Sequence, residues 1–575
     1  MKTNYTTERN VQMVLSLLKQ NGIRKIIASP GGTNMTFVAS MQQDPFFEIY
    51  SSVDERSAAY IATGLAAETG ETVVLSCTGA TASRNYLPGL TEAYYRKLPV
   101  LAITSGRSIT NIGHLMDQVI DRSVMPKDVV NLSVTIPEIK DKEDEWHCMI
   151  NLNKAILELN RNGGGPVHIN LPTTYSRDFS VKELPNTHRI QRVSEDDIFP
   201  EIKHNRIGVF VGSHMKWTKD QLESINEFCE ANNAVVLCDH TSNYKGKYRV
   251  LFPLIEAQNQ ALFKNNELDL LVHIGEVSNC GYRAKEVWRV SEDGEVRDTF
   301  KKLSFVFDMP EKTFFKHYSV KKTDLSNTLL DEFNKQNEEF YNKIPDLPFS
   351  NIWVAKQLAP LMPENSVLHL GIRNSLRAWN FFEIPESVLG YSNVGGFGID
   401  GVVSSLIGAS LADRKKLYFG VTGDLAFFYD INSLGNRHIG NNVRLLIINN
   451  GRGQEFKNFD SMGTVFETED TDAYIAAGGH YGNKSDKLVK HYAEDLGFEY
   501  LAASNKNEFE KVYEKFINKD LTSKSIVLEV FTETIDENEA YKLISSLTMS
   551  GKIVGSARGL MKGKAFNLAK KIIKK

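Results

Sequence analysis

Between Leu417 and Asn450 the chain changes its hydrophobic period twice. Leu417-Tyr418-Phe419-Gly420-Val421 is an apolar run of strand length, Leu425, Phe428, Ile431 and Leu434 recur at helical spacing, and Val443 to Ile448 is a second strand-like run. Two strands joined by a helix make a βαβ unit, whose strands lie parallel in one sheet. The first run ends in Gly423-Asp424-Leu425 and the second in Asn449-Asn450. A carboxylate and an amide oxygen are thus expected at the C-terminal ends of adjacent strands, the end where open α/β sheets bind ligands. The N-terminus of the intervening helix faces the same place and favours phosphate. Asp424, Asn450, a backbone carbonyl and two phosphate oxygens would make a near-octahedral shell for Mg2+. Gly-Asp and Asn-Asn are also ordinary turn chemistry, so the pair alone leaves both readings open.

A second cluster lies upstream. Phe47-Glu48-Ile49-Tyr50 reads as a strand, and Asp54-Glu55-Arg56-Ser57-Ala58-Ala59-Tyr60 opens an Ala-rich helix. A Glu in a first helical turn needs no chemistry to explain it, since the helix dipole stabilises it by about 0.3–1 kcal/mol. The order of its neighbours adds a second meaning. Ser29-Pro30-Gly31-Gly32 after a strand, then the Glu55 helix, then Thr78-Gly79-Ala80-Thr81-Ala82, then Gly165-Pro166-Val167-His168-Ile169-Asn170-Leu171-Pro172 resemble the pyrimidine-binding segments of thiamine diphosphate (ThDP) enzymes, in that family's order. Gly423-Asp424-Leu425 followed by Asn450 resembles the same family's diphosphate signature. The resemblance implies that Asp424, Asn450 and the backbone carbonyl of Arg452 hold Mg2+. It makes Glu55 the carboxyl that hydrogen-bonds the aminopyrimidine ring and promotes proton loss from the cofactor's reactive carbon. It also assigns cofactor contacts to Pro30, Gly31, Gly79, Asn85, Asn374, Ser375, Ile399, Gly423, Asp424, Leu425 and Asn450, with Ile399 as the bulky residue that keeps the cofactor bent.

Further segments narrow the resemblance to one branch. Val53 to Ala59, Asn85-Tyr86 with Glu92-Ala93, Arg107, Gln118 with Ile120-Asp121, Asn374-Ser375-Leu376, Gly398-Ile399-Asp400-Gly401 and Gly453-Gln454 look like the SEPHCHC synthases of the menaquinone pathway. Members of that family decarboxylate 2-oxoglutarate on ThDP and add the product to isochorismate. The similarity covers the first and last thirds of the chain and is weak through the middle. It implies that Ser375 and Gln118 face the reacting substrate, although Gln118 reads equally well as a solvated loop side chain.

The chain also departs from that family. Arginines that pair with substrate carboxylates are replaced here by Thr33, Trp379 and Val394. Arginine is suited to bidentate carboxylate recognition, and none of these three can replace its charge-assisted contacts. A dicarboxylic donor and an isochorismate-like acceptor are therefore not expected. Trp379 and Phe397 facing the pocket would make it smaller and more apolar, which suits a short donor such as pyruvate, with Arg107 and Arg373 left as anion contacts or surface cations. The resulting expectation is a ThDP- and Mg2+-dependent enzyme that decarboxylates a pyruvate-like 2-oxo acid and joins the product to an acceptor carbonyl or activated alkene. Two other readings stay open, release of the product as an aldehyde and a catalytically silent ThDP-fold binding subunit. In this family the two halves of one site come from different subunits, so the resemblance implies a homodimer or homotetramer.

A chain of 575 residues exceeds what one core serves, which gives about three domains. The expected fold is three doubly wound parallel-sheet α/β domains: residues 1–180 binding the pyrimidine, 181–345 central, and 346–540 binding the diphosphate. Ser176 to Asp197 reads as a polar linker, and Met1 to Gly22 as an amphipathic helix without a signal-peptide core. The turn Gly212-Ser213-His214 gives the central domain no dinucleotide fingerprint. A net charge of −4 offers no electrostatic case for a nucleic-acid partner. Cys77, Cys148, Cys229, Cys238 and Cys280 are scattered and lack CxxC spacing, which points to a reducing, cytoplasmic setting. The tail, 541–575, carries Lys552, Arg558, Lys562, Lys564, Lys570, Lys571, Lys574 and Lys575, with Met561, Ala565, Leu568 and Ile572 on one helical face. It reads either as a helix docked by its apolar face or as a peripheral membrane contact.

Overall fold

The computed structural model describes residues 4–258, 267–320, 328–481 and 484–548. The basic tail expected over 541–575 therefore lies, from residue 549 on, outside the described residues. Two compact units result: Met1–Ile198 with Gly294–Asp308, and Phe199–Asp293 with the chain from Met309 on.

The first unit contains β1 (Lys25–Ala28), β2 (Glu48–Ser51), β3 (Val73–Thr78), β4 (Val100–Gly106), β5 (Leu132–Thr135) and β6 (Val167–Pro172), in the order β2-β1-β3-β4-β6-β5. All pair in parallel. Strands β4 and β6 are buried along their whole length, as expected where helices cover both faces of a parallel sheet. On one face the helix Glu55–Thr69 presents Ala58, Ala59, Ala62 and Ala66 to Leu75, Cys77 and Ala102. This small-residue face allows close approach, and a Cβ on Gly89 of the next helix, Leu87–Tyr95, would overlap that of Ala59. The other face carries the helix Arg9–Gln20. The amphipathic helix read from the sequence over Met1 to Gly22 spans Arg9–Gln20, and every residue from Asn10 to Leu18 is buried. Its polar members are satisfied internally: Asn10 Nδ2 donates to Pro172 O (2.8 Å), Gln12 Nε2 to Thr6 O (2.8 Å) and Ser16 Oγ to Pro185 O (2.6 Å).

The middle sheet comprises β7 (Gln191–Ser194), β8 (Ile207–Val211), β9 (Ala234–Cys238), β10 (Arg249–Leu251), β11 (Leu268–Ile274), β12 (Ala284–Ser291) and β13 (Leu303–Asp308). Five of these, ordered β10-β9-β8-β11-β12 and parallel, belong to the second unit. The other two, β13 and β7, pair in parallel in the first unit, so the stretch expected to be a plain linker contributes a strand. Between β8 and β11, where the strand order reverses, the loops join directly. Gly212 N–H donates to Ile274 O (3.0 Å) and Glu276 N–H to Ser213 O (2.9 Å).

The third sheet, in the second unit, is built from β14 (Val367–Leu370), β15 (Leu389–Ser392), β16 (Tyr418–Gly423), β17 (Val443–Asn449), β18 (Glu499–Ala503) and β19 (Ile526–Phe531), ordered β15-β14-β16-β17-β19-β18 and parallel throughout. Strands β16 and β17 are neighbours with Gly423 opposite Ile448, which is the βαβ unit read from the sequence. The helix between them is shorter than the apolar spacing suggested, Asp424–Tyr429 followed by a 3-10 turn at Ile431–Gly435. Asp430 sits at the break, its carboxylate accepting from Ser404 N–H (2.6 Å) and Ser404 Oγ (2.5 Å). Among the described residues no helix is long and apolar enough to cross a membrane.

Candidate functional site

In the second unit Asp424 opens its helix at the end of β16, with 5% of its surface exposed. Burial pushes its pKa up to about 7, outweighing the neighbouring backbone N–H groups of Asn450 and Leu425 that favour its charged form. Among the described residues no cationic side chain forms an ion pair with this buried carboxylate.

The end of β17 separates its two asparagines. Asn449 is fully committed, with Nδ2 donating to the buried Glu529 (2.7 Å) and Oδ1 accepting from Gly451 N–H (3.1 Å). Asn450 Oδ1 is buried without a hydrogen-bond partner. Buried polar atoms are nearly always paired, so an orphaned amide oxygen next to an uncompensated carboxylate fits a hard, oxygen-seeking cation. Arg452 follows; its guanidinium pairs with Asp472 (2.7 Å). A Cβ on Gly423 would meet nothing within 4 Å, so this turn leaves room for a phosphate. Leu425 beside it is half-buried.

Asn374 and Ser375 begin the helix Asn374–Asn380. Asn374 Oδ1 accepts from Arg377 Nη1 (2.9 Å) and Asn458 Nδ2 (3.0 Å), while Arg377 forks onto Glu455 (3.0 Å for each nitrogen). Ser375 is buried and Ile399 half-buried. Two residues before Ile399, the Phe397 ring lies 4.7 Å from the Arg373 guanidinium. Trp379 and Val394 are only 1% and 2% exposed, so both belong to the packed interior and line no open surface of the chain. Sequence reasoning passed over two residues here as site groups. Gln454 is buried with an unpartnered Oε1, and Glu529 supports Asn449.

In the first unit Glu55 is the first residue of its helix, half-buried, with Asp54 as the N-cap accepting from Arg56 N–H (2.8 Å) and Ser57 N–H (3.4 Å). Burial pushes the thiol of Cys77, which packs in the core behind this helix, up to about 12. Pro30 is exposed, and a Cβ on Gly31 would fall 2.8 Å from Thr78 Cβ. One on Gly79 would fall 2.8 Å from Arg122 Nη1. Asn85 ends the short helix Thr81–Asn85 and is exposed, as is Gln118. Thr33 is buried, its Oγ1 bonded to Ser105 O (2.6 Å) and to Thr78 Oγ1. Arg107 pairs with Asp117 (3.2 Å).

Four of the fourteen described non-glycine residues with positive φ lie at these places. Ala80 (φ 60°), Gln118 (φ 59°), Arg373 (φ 65°) and Phe397 (φ 55°) occupy the left-handed region, and each is, or lies within two residues of, a residue singled out above. None is Gly, Asn or Asp, so each carries a cost of about 1–3 kcal/mol that the surrounding structure must hold, a pattern typical of ligand sites.

Residues 9–125 match the family model described as thiamine pyrophosphate enzyme, N-terminal TPP binding domain. A protein of Bacteroides fragilis, 2-succinyl-5-enolpyruvyl-6-hydroxy-3-cyclohexene-1-carboxylate synthase, is 30% identical over 553 residues, covering 92% of this chain and 97% of its own. The protein of that name from Phocaeicola vulgatus is 30% identical, with 92% and 96% covered. That from Flavobacterium johnsoniae is 27% identical, with 92% and 97% covered. A solved structure, the thiamine diphosphate-dependent 4-hydroxybenzoylformate decarboxylase of Rhodococcus jostii RHA1, superposes with a TM-score of 0.40 at 17% identity, covering 91% of this chain and 99% of that one.

Proposed function

The chain belongs to the thiamine pyrophosphate enzymes, in the family of the 2-succinyl-5-enolpyruvyl-6-hydroxy-3-cyclohexene-1-carboxylate synthases, and from that premise we propose that it decarboxylates a short, pyruvate-like 2-oxo acid and joins the product to an acceptor carbonyl or activated alkene. The observation that carries the cofactor half of this reading is the pairing of a buried, uncompensated Asp424 with the orphaned Asn450 Oδ1. These two, with the Arg452 carbonyl, would hold Mg2+, and the open turn at Gly423 would take the diphosphate. When bound, ThDP supplies the carbon nucleophile and the electron sink that decarboxylation needs. Glu55, fixed at a capped helix start, would hold a hydrogen bond to the aminopyrimidine and move its proton.

The donor is proposed to be short because Thr33, Trp379 and Val394 are tied into packing and cannot fork onto a second carboxylate. Joining is favoured over aldehyde release because the relatives are named synthases. We further propose a homodimer or larger homo-oligomer of three-domain chains, with limits near residues 180, 345 and 540. Tyr50, Val53, Tyr60, Ile61 and Tyr95 of the first unit are exposed, as are Met462, Val465, Phe466 and Tyr474 of the second, apolar surface that a partner copy would cover.

Replacing Glu55 by Gln tests the assignment. Calorimetry should show ThDP and Mg2+ bound as in the parent, while consumption of pyruvate and other small 2-oxo acids falls by about 100-fold or more. Full turnover in E55Q would refute the role. A parent protein that binds ThDP yet consumes no 2-oxo acid would instead be a silent binding subunit.

A further inference from the structure

Arg122 is a buried cation without an anion. It is 5% exposed, Nη1 donates to Thr104 Oγ1 (3.1 Å), Nη2 donates to Asn170 Oδ1 (2.6 Å), and among the described residues no carboxylate forms an ion pair with it. Thr104 and Asn170 stand opposite each other on β4 and β6. The next group in the row, His168, is neutral: burial pushes its pKa down to about 3, and its ring nitrogens are engaged by Thr104 Oγ1 (2.8 Å) and Ser133 Oγ (2.8 Å). Every neighbour that Arg122 bonds is thus uncharged. Buried guanidinium groups are ordinarily matched by a carboxylate or phosphate, because desolvating the charge is costly without one.

Placement points to where the missing charge would come from. The guanidinium lies against the backbones of Gly79 and Gly106, at the C-terminal ends of β3 and β4. A Cβ on Gly79 would fall 2.8 Å from Nη1, and one on Gly106 would overlap Nη2. Both positions must be glycine for the guanidinium to reach the strand ends, which is where a parallel sheet receives its ligand. The strained Ala80 turn starts directly after Gly79. The same Cβ position on Gly79 is 3.2 Å from the Ser105 carbonyl, whose other side is taken by Thr33 Oγ1 (2.6 Å). A guanidinium carries five N–H donors, and the two bonds above leave donors for one more acceptor pair.

We propose that Arg122 is a specificity-determining residue that recognises the carboxylate of the donor, which docks over Gly79 and Gly106 and completes the guanidinium's charge. This rests on the 2-oxo acid reading above. The competing account, a guanidinium that only props up the strand ends, makes a different prediction about ligand charge.

The test compares pyruvate with its uncharged methyl ester, by calorimetry on the full chain carrying E55Q to suppress turnover, with ThDP and Mg2+ present. R122Q should weaken pyruvate binding by about tenfold or more while leaving methyl pyruvate and ThDP within about twofold, and R122K should restore part of the loss. Thermal unfolding establishes that each variant is folded. Equal losses for acid and ester, a parallel loss of ThDP affinity, or no loss at all would overturn the proposal and make Arg122 a strut. If the Arg122 parent binds ThDP but holds pyruvate no better than the ester, the proposal fails while the cofactor reading stands. If ThDP does not bind, the functional reading fails, and the same acid–ester comparison on the cofactor-free chain decides Arg122 by itself.

Discussion

Asn449 and Asn450 are adjacent and chemically identical, yet they do opposite things. Asn449 satisfies the buried Glu529, whose other oxygen accepts from Tyr500 OH (2.7 Å), whereas Asn450 keeps an acceptor that no group among the described residues uses. Removing Asn449 strands part of a buried carboxyl, at a cost of about 1–3 kcal/mol. N449A is therefore expected to lower the Tm of the cofactor-free protein. N450A deletes an unpaired atom, so its Tm should hold while calorimetry shows ThDP affinity with Mg2+ falling by about tenfold or more. The reverse pattern, a lower Tm for N450A with cofactor affinity unchanged, would show that the orphaned oxygen has nothing to do with metal. The sequence named Asn450 through its place at a strand end and through family resemblance, both local signals. Glu529 and Gln454 were illegible as site groups, because the first meets Asn449 only when β19 pairs with β17 and the second is defined by an empty acceptor that no spacing encodes.

Between elements, the helix Thr534–Ile544 reaches the N-terminus of the helix Asn351–Leu358 with a buried carboxyl. Glu537 accepts from Asn351 N–H (2.9 Å) and Thr532 Oγ1 (2.7 Å), and burial pushes its pKa up to about 7. The unfolded chain releases the same proton near pH 4.3. Between roughly pH 4.3 and about 7 the folded state holds a proton that the unfolded state has lost, so this group's contribution is full at the acid end and declines by about 1.4 kcal/mol per pH unit as pH rises through the window. E537Q stays neutral and keeps an acceptor oxygen, so its stability relative to the parent should improve on going from pH 5 to pH 7.5; denaturant titrations that differ by the same amount at both ends would exclude the linkage. Element reading from sequence succeeded where burial on both faces makes a strand a nearly unbroken apolar run, as in Leu417 to Val421, which becomes the strand Tyr418–Gly423. It missed Gln191–Ser194, which has one apolar residue and lies in the stretch read as a polar linker. Nor could apolar spacing reveal that Asp430 would be drawn to Ser404 and cut short the helix after Asp424.

For the molecule as a whole, every strand pair of the three sheets assigned above is parallel, which puts ligand sites at the C-terminal ends of strands, and the two sets of candidate site residues fall in different units. Glu55 belongs to the first unit, and Asp424 and Asn450 to the second. The family resemblance implies that one site draws these halves from two copies of the chain, and the exposed aromatic and aliphatic residues around both sets suit burial against such a copy. Complementation tests this without any assumption about the substrate's acceptor. E55Q and D424N should each be inactive alone, the first with its cofactor bound and the second without. Refolded or co-expressed together, they form mixed dimers in which the Glu55 of one chain meets the Asp424 of the other, so one of the two sites is intact and activity returns. Sedimentation must show the mixed dimer, separated by a tag on one chain. Should that species form and remain inactive, the two halves do not come from different subunits; should the parent sediment as a monomer at assay concentration and still turn over, the shared-site expectation fails altogether.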